Sequence, residues 1–69
     1  MEKIEIIWRD SNIYLTQCNI DDNFKYETIS SLGYLIQEDD EQITIAGDIL
    51  GEDARRIIVI PKENIISMK

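Results

Sequence analysis

Cysteine and histidine are nearly missing from this 69-residue chain, which holds one cysteine, Cys18, and no histidine. A lone cysteine cannot form a disulfide within its own chain, and a zinc site built from cysteine and histidine cannot be assembled. We therefore predict a protein without a metal or another cofactor, in which Cys18 is a buried or idle thiol.

Basic residues and long apolar runs are also scarce. The chain has seven lysines and arginines against 14 acidic residues, and its net charge of -7 repels a phosphate backbone and an anionic membrane surface alike. Charges interrupt residues 1–5, and no stretch approaches the length of about 18 apolar residues that a membrane span needs. We expect a cytoplasmic protein that binds no membrane and, by default, no nucleic acid.

Signs of catalysis are missing as well. The commonest general base is absent, and the sequence contains no glycine-rich phosphate loop and no serine or threonine nucleophile motif. The acidic run at residues 38–41 lacks the spacing and the central glycine of a calcium-binding loop, which favours a solvated hairpin turn. We predict that the chain is not an enzyme and has no catalytic or metal-binding residue.

The length allows one domain, residues 1–69. A domain of this size buries only about 60% of the surface that its unfolded chain exposes. Small domains usually gain extra stability from disulfides, a structural metal or self-association. Because the first two are excluded, self-association remains.

The pattern that is present is that of β-strands. In residues 3–9 the apolar side chains of Ile4, Ile6 and Trp8 alternate with others, which is typical of a half-buried strand. The region of residues 13–26 is ambiguous, and we interpret it as a short strand followed by an irregular loop, with Phe24 and Tyr26 covering one end of the fold. The remaining strands are predicted at residues 27–37, 42–46, 55–60 and 65–68.

Turn-forming residues separate these strands. The acidic run makes residues 27–46 a hairpin, residues 47–54 are interpreted as a connection, and residues 55–60 as a buried strand. Gly33 suits a bend or bulge that lets a short sheet curl, and Pro61 favours a tight corner with room for a single helical turn. The predicted fold is all-β, a small five-stranded barrel with at most one short helical turn.

Two segments resemble those of small barrels of the Sm-like or SH3-like kind. Residues 33–46 carry a strand with an internal glycine, an acidic turn and a strand that ends at Ala46, and residues 58–65 carry an apolar strand, a corner and an Asn-Ile ending. The resemblance to Sm-like proteins implies an oligomeric ring that binds RNA. The chain also resembles short uncharacterised proteins of phages and prophages, which implies no known activity.

Six basic or aromatic residues are candidate contacts for a ligand or a partner, because guanidinium groups suit phosphates and carboxylates and aromatic rings suit stacking. They are Arg9, Tyr26, Tyr34, Arg55, Arg56 and Lys62. The alternative for the two adjacent arginines is pairing with Glu52, Asp53 or Glu63. We predict a non-catalytic interaction module that binds copies of itself or another protein through a strand edge, with an RNA-binding or anion-binding ring as the alternative.

Overall fold

The computed structural model describes residues 1–11 and 17–69 and shows an all-β chain, as predicted. No helix within these ranges is long and apolar enough to cross a membrane. One turn of 3-10 helix, Lys62–Asn64, follows Pro61 at the predicted corner. The strands are β1 (Lys3–Asp10), β2 (Glu27–Glu38), β3 (Gln42–Leu50), β4 (Asp53–Pro61) and β5 (Ile65–Met68).

The five strands form one antiparallel sheet in the order β4-β3-β2-β1-β5. In the part of the chain that is described, no ladder joins β4 to β5, so these two strands are the edges of an open sheet. The described residues contain five strands, as the predicted fold does, whereas closure into a barrel is not confirmed.

The core lies on one face of the sheet and consists mainly of isoleucine. Trp8, Leu35 and Ile65 pack against it, and the indole Nε1 of Trp8 donates a hydrogen bond to the Ser31 hydroxyl at 3.0 Å. This bond satisfies the one polar atom of the indole, as a packed tryptophan requires. The buried isoleucines are Ile4, Ile6, Ile43, Ile45 and Ile60.

Gly33 is required by a close approach between β2 and β3. A Cβ atom at this position would lie 2.7 Å from the carbonyl oxygen of Ala46, which is part of the backbone and cannot move aside easily. The register between the two strands shifts between Leu35 and Gln37, close to the bulge predicted at the glycine. The bulge increases the local twist of the sheet without closing it.

The predicted connection at residues 47–54 is wrong. β3 continues to Leu50 and β4 begins at Asp53, so only Gly51 and Glu52 make the turn, with Gly51 at a φ of 62°. Glycine adopts this left-handed conformation at little cost. Residues 48–50 of β3 pair with residues 53–55 of β4. Backbone pairing of this kind does not depend on which side chains the strands carry.

The predicted burial of residues 55–60 is wrong for most of this segment. Ile60 is fully buried, but Ile57, Ile58 and Val59 are 49%, 37% and 51% exposed. The reason is that β4 has a neighbour on one side only.

The predicted cover by Phe24 and Tyr26 is wrong as well, because these side chains are 47% and 60% exposed. The short strand predicted at residues 13–16 lies outside the described residues.

Candidate functional site

The two open edges of the sheet are the most prominent chemical feature of the described chain. An edge strand presents unpaired backbone N–H and C=O groups, which can pair with a strand of another chain. β4, with nine residues, forms one edge, and β5, with four, forms the other.

The β4 edge combines these backbone groups with an apolar run. Ile57, Ile58 and Val59 are all at least one-third exposed. Ile58 lies opposite Ile45, which is only 1% exposed, so both side chains are on the same face of the sheet. The apolar core face therefore extends to the edge of the sheet and loses its cover there.

The β5 edge repeats this arrangement on the other side. Met68 lies opposite Ile6 in the ladder, yet Met68 is 46% exposed while Ile6 is fully buried. Ile66 is 53% exposed on the same short strand. The apolar core face of the sheet is therefore exposed at both edge strands, β4 and β5.

The two adjacent arginines share a carboxylate across the β3–β4 hairpin. The Nε and Nη2 atoms of Arg56 each donate to Asp48 at 2.9 Å, and Arg55 Nε lies 4.0 Å from the same carboxylate. Their partner is Asp48, not Glu52, Asp53 or Glu63 as the sequence suggested. Arg56 is also the one non-glycine residue of the described chain with a positive φ, 57°.

The other predicted contact residues are spread over the sheet. The guanidinium of Arg9 lies 5.8 Å from the ring centre of Tyr26, and the Lys3 ammonium lies 5.5 Å from the ring centre of Tyr34. Lys62 Nζ pairs with Glu38 at 2.8 Å. The six residues predicted as contacts therefore do not form one site.

Of the six predicted residues, Tyr34 and Arg56 are the two that line the same cavity. Both line a half-open cavity of about 350 Å³, together with Lys3 and Gly47. The sequence gave no signal for Lys3 or Gly47, because their proximity to Arg56 depends on the pairing of distant strands. Lys62 lines a different cavity, with Asp40, Glu41 and Glu63 around it.

The acidic turn is organised by Asp39. Its Oδ1 accepts backbone N–H bonds from Glu41 at 2.8 Å and Gln42 at 2.9 Å. These bonds, supported by the nearby charge of Lys62, hold the pKa of Asp39 below its ordinary value of 3.8. The run therefore acts as a hairpin turn, as predicted.

We expect the Asp39→Ala variant to melt at a lower temperature than the wild type at pH 7, because it loses both turn bonds. A depressed pKa stabilises the fold above the unfolded value and ceases to do so as the pH falls through the folded value, so the difference should shrink below pH 3.8. Thermal melts between neutral and acidic pH measure it, with Asp40→Ala as the control for charge in the same turn. A difference that stays constant into acid would contradict this role.

No group of three or more cysteine, histidine or acidic side chains in the described ranges is arranged to hold a metal ion. Cys18 is exposed, in the segment that precedes β2, so the predicted alternative of a buried thiol is wrong.

Comparisons with protein-family models, with curated proteins and with solved structures find no match for this chain.

Proposed function

We propose that this chain is a non-catalytic interaction module that associates with further copies of itself through the edges of its sheet. The observation that carries the proposal is the loss of cover on the core face at β4 and β5, where Ile58 and Met68 are 37% and 46% exposed. Association through a strand edge supplies backbone hydrogen bonds and covers such side chains together.

A second copy is favoured as the occupant because both edges carry unpaired backbone groups and an uncovered part of the apolar core face. If β4 of one copy pairs with β5 of the next, the sheet continues across the boundary and Ile58 can pack near Met68. This contact joins two different surfaces, so it can repeat from copy to copy and close into a ring. We propose that this pairing of β4 with β5 between neighbouring copies completes an Sm-like barrel.

Stability gives a second reason for self-association. Of the apolar residues described, six are buried, whereas eleven large ones are exposed. A single small core of this kind supplies at most about 3–5 kcal/mol, and the one cysteine excludes an internal cross-link. Association with another copy buries further apolar surface and needs no other protein.

The single cysteine also supports a reducing, cytoplasmic location.

Charge supports the same contact. The chain carries a net charge of -7, but Arg55 and Arg56 lie directly before the exposed run of β4. Arg56 is paired with Asp48, so attraction to the acidic surface of another copy depends mainly on Arg55, whose Nε lies 4.0 Å from that carboxylate.

The alternative of a ring that binds RNA has less support from the geometry. Of its four basic residues, Arg55 and Arg56 are near Asp48, and Lys62 pairs with Glu38 beside three further carboxylates. Arg9 is close to Tyr26. A phosphate backbone would have to compete with these carboxylates.

Light scattering over a range from micromolar to millimolar protein tests the proposal. We expect the weight-average mass to exceed the 8.0 kDa of one chain and to rise with concentration until it reaches a fixed multiple. A high concentration of sulfate should raise the weight-average mass at a given protein concentration. Sulfate strengthens apolar association more than it screens the few charges at the contact. A mass of one chain at every concentration would overturn the proposal.

A further inference from the structure

The cavity beside Arg56 is formed within one copy of the chain, although Ile58 belongs both to its lining and to the proposed contact between copies. It has a volume of about 350 Å³ and is formed by residues of β1, β2, β3 and β4. This volume is at the lower end of the range of small-molecule sites. Its apolar surface includes Leu32 and Ile58, which are 62% and 37% exposed.

The side chains that line the cavity include two cations, Lys3 and Arg56, of which Arg56 is paired with the Asp48 carboxylate outside the lining. The lining includes no carboxylate among the described residues. The chain as a whole carries -7. A cavity with this lining favours an anion although the overall field does not, because short-range charge-assisted hydrogen bonds outweigh distant, screened charges.

Arg56 is held in place for such a contact. Asp48 accepts from Nε and Nη2 of the guanidinium and so fixes its plane, while a guanidinium has five N–H donors and this pair uses two. Gly47 makes the position possible, since a Cβ there would lie 2.7 Å from Arg56 Nε. The left-handed φ of Arg56 is uncommon for a residue with a side chain, and such backbone is concentrated at functional sites.

Lys3 and Tyr34 complete the rim. The ammonium group lies 5.5 Å from the ring centre of Tyr34, which is within the range of a cation–π contact and limits the motion of a long side chain. The tyrosine hydroxyl adds a hydrogen-bond donor and acceptor. The rim thus offers two cations and one hydroxyl beside an apolar surface.

We infer that this cavity binds a small organic anion, in which an apolar body carries a single carboxylate or phosphate group. The anionic group contacts Lys3 and Arg56, and the apolar body packs against Leu32 and Ile58. Neither an inorganic anion nor a neutral apolar molecule satisfies both parts of the lining.

Phenyl phosphate and benzoate are suitable probes, with inorganic phosphate and phenol as the matching fragments. In titrations followed by amide chemical shifts, we expect saturable changes at Gly33 and Gly47 with the two probes, and at least about tenfold weaker binding of each fragment. The tighter of the two probes identifies the anionic group. Equal binding of inorganic phosphate and phenyl phosphate, or no saturation with either probe, would overturn the inference.

Three variants test the residues. Lys3→Met and Arg56→Gln each remove one charge-assisted contact and should weaken binding about tenfold or more. Asp48→Asn keeps an oxygen that accepts a hydrogen bond from the Arg56 guanidinium but removes the negative charge that competes with the ligand, so it should strengthen binding. These opposite directions separate anion binding from a merely structural role of the arginine.

Arg9→Gln is the matched control. It makes the same change in net charge, but it lies six residues from Lys3 on β1, about 20 Å away along the strand. Its affinity should stay within about twofold of the wild type. An equal loss in Arg9→Gln and Lys3→Met would show attraction by net charge alone and would reject the site. Repeating the titration with Val59→Lys, a β4 variant expected to be monomeric, separates failure of the cavity to bind an anion from failure of the proposed self-association.

Discussion

The Val59→Lys variant is expected to be monomeric at concentrations at which the wild type associates. Val59 is 51% exposed and is the last residue of the exposed apolar run on the β4 edge. A lysine on an edge strand opposes pairing with another strand, because its ammonium group would have to give up water in the contact. Light scattering should give a mass near the 8.0 kDa of one chain.

The same substitution should leave the fold intact. Val59 lies opposite Thr44 and not among the core isoleucines, so a long side chain can extend into water. Substitutions at such exposed positions usually change stability by about 0.5 kcal/mol or less. Ile58 is less suitable for the test because it lies opposite the buried Ile45.

Leu32→Lys is the matched control for this effect. Leu32 is 62% exposed, but it is on β2, which has a neighbour on both sides. It makes the same change from an apolar side chain to a lysine away from the edges, and it should associate as the wild type does. If both variants became monomeric, the loss of an exposed apolar side chain at any position, and not the β4 edge, would explain the effect.

The Ile6→Ala variant is expected to lose most of its folded population or to melt at least about 10 °C lower than the wild type. Ile6 is fully buried in the core, and replacing a buried isoleucine by alanine costs about 2–5 kcal/mol. This cost is similar to the whole stability of about 3–5 kcal/mol that a domain of this size obtains from one core.

Fluorescence of Trp8, the single tryptophan, measures this loss because the indole packs against the same core. Ile20→Ala is the control, since Ile20 is 94% exposed and the same atoms are removed without a cavity. Both variants are compared with the wild type at equal protein concentration, because association raises the melting temperature by mass action. Equal melting temperatures for the two variants would contradict the assigned core.

Much of the secondary structure was predictable because its causes are local. The alternation of Ile4, Ile6 and Trp8 is determined by the two-residue period of a strand, and Pro61 ends a ladder wherever it occurs. The acidic turn was predictable for the same reason, since Asp39 bonds the backbone of its near neighbours.

The position of β4 at the edge was not predictable in this way. An apolar run such as Ile57-Ile58-Val59 has the same pattern in the centre of a sheet and at its border, because composition does not report how many neighbours a strand has. The error over residues 47–54 has a related cause. Glycines and acidic residues there suggested a loop, whereas residues 48–50 and 53–55 continue the pairing of β3 with β4.

The cavity residues were predictable only in part. Tyr34 and Arg56 were candidates because of their chemistry, but Asp48 becomes the partner of Arg56 only once the turn at Gly51 brings β3 and β4 into register. Recognising that Gly51-Glu52 can close a two-residue hairpin would have identified this pair. Lys3 requires the pairing of β1 with β2, which no local pattern specifies.

The exposed apolar run of β4 is bracketed by Arg55-Arg56 on one side and Pro61-Lys62 on the other. Short hydrophobic strand segments with low charge and no proline are the segments that grow into amyloid fibrils. The segment is flanked by the guanidinium groups of Arg55 and Arg56, by Pro61, which has no N–H donor, and by the ammonium group of Lys62. Such residues beside a hydrophobic strand oppose aggregation. These flanking residues are therefore expected to oppose fibril growth from the exposed β4 strand.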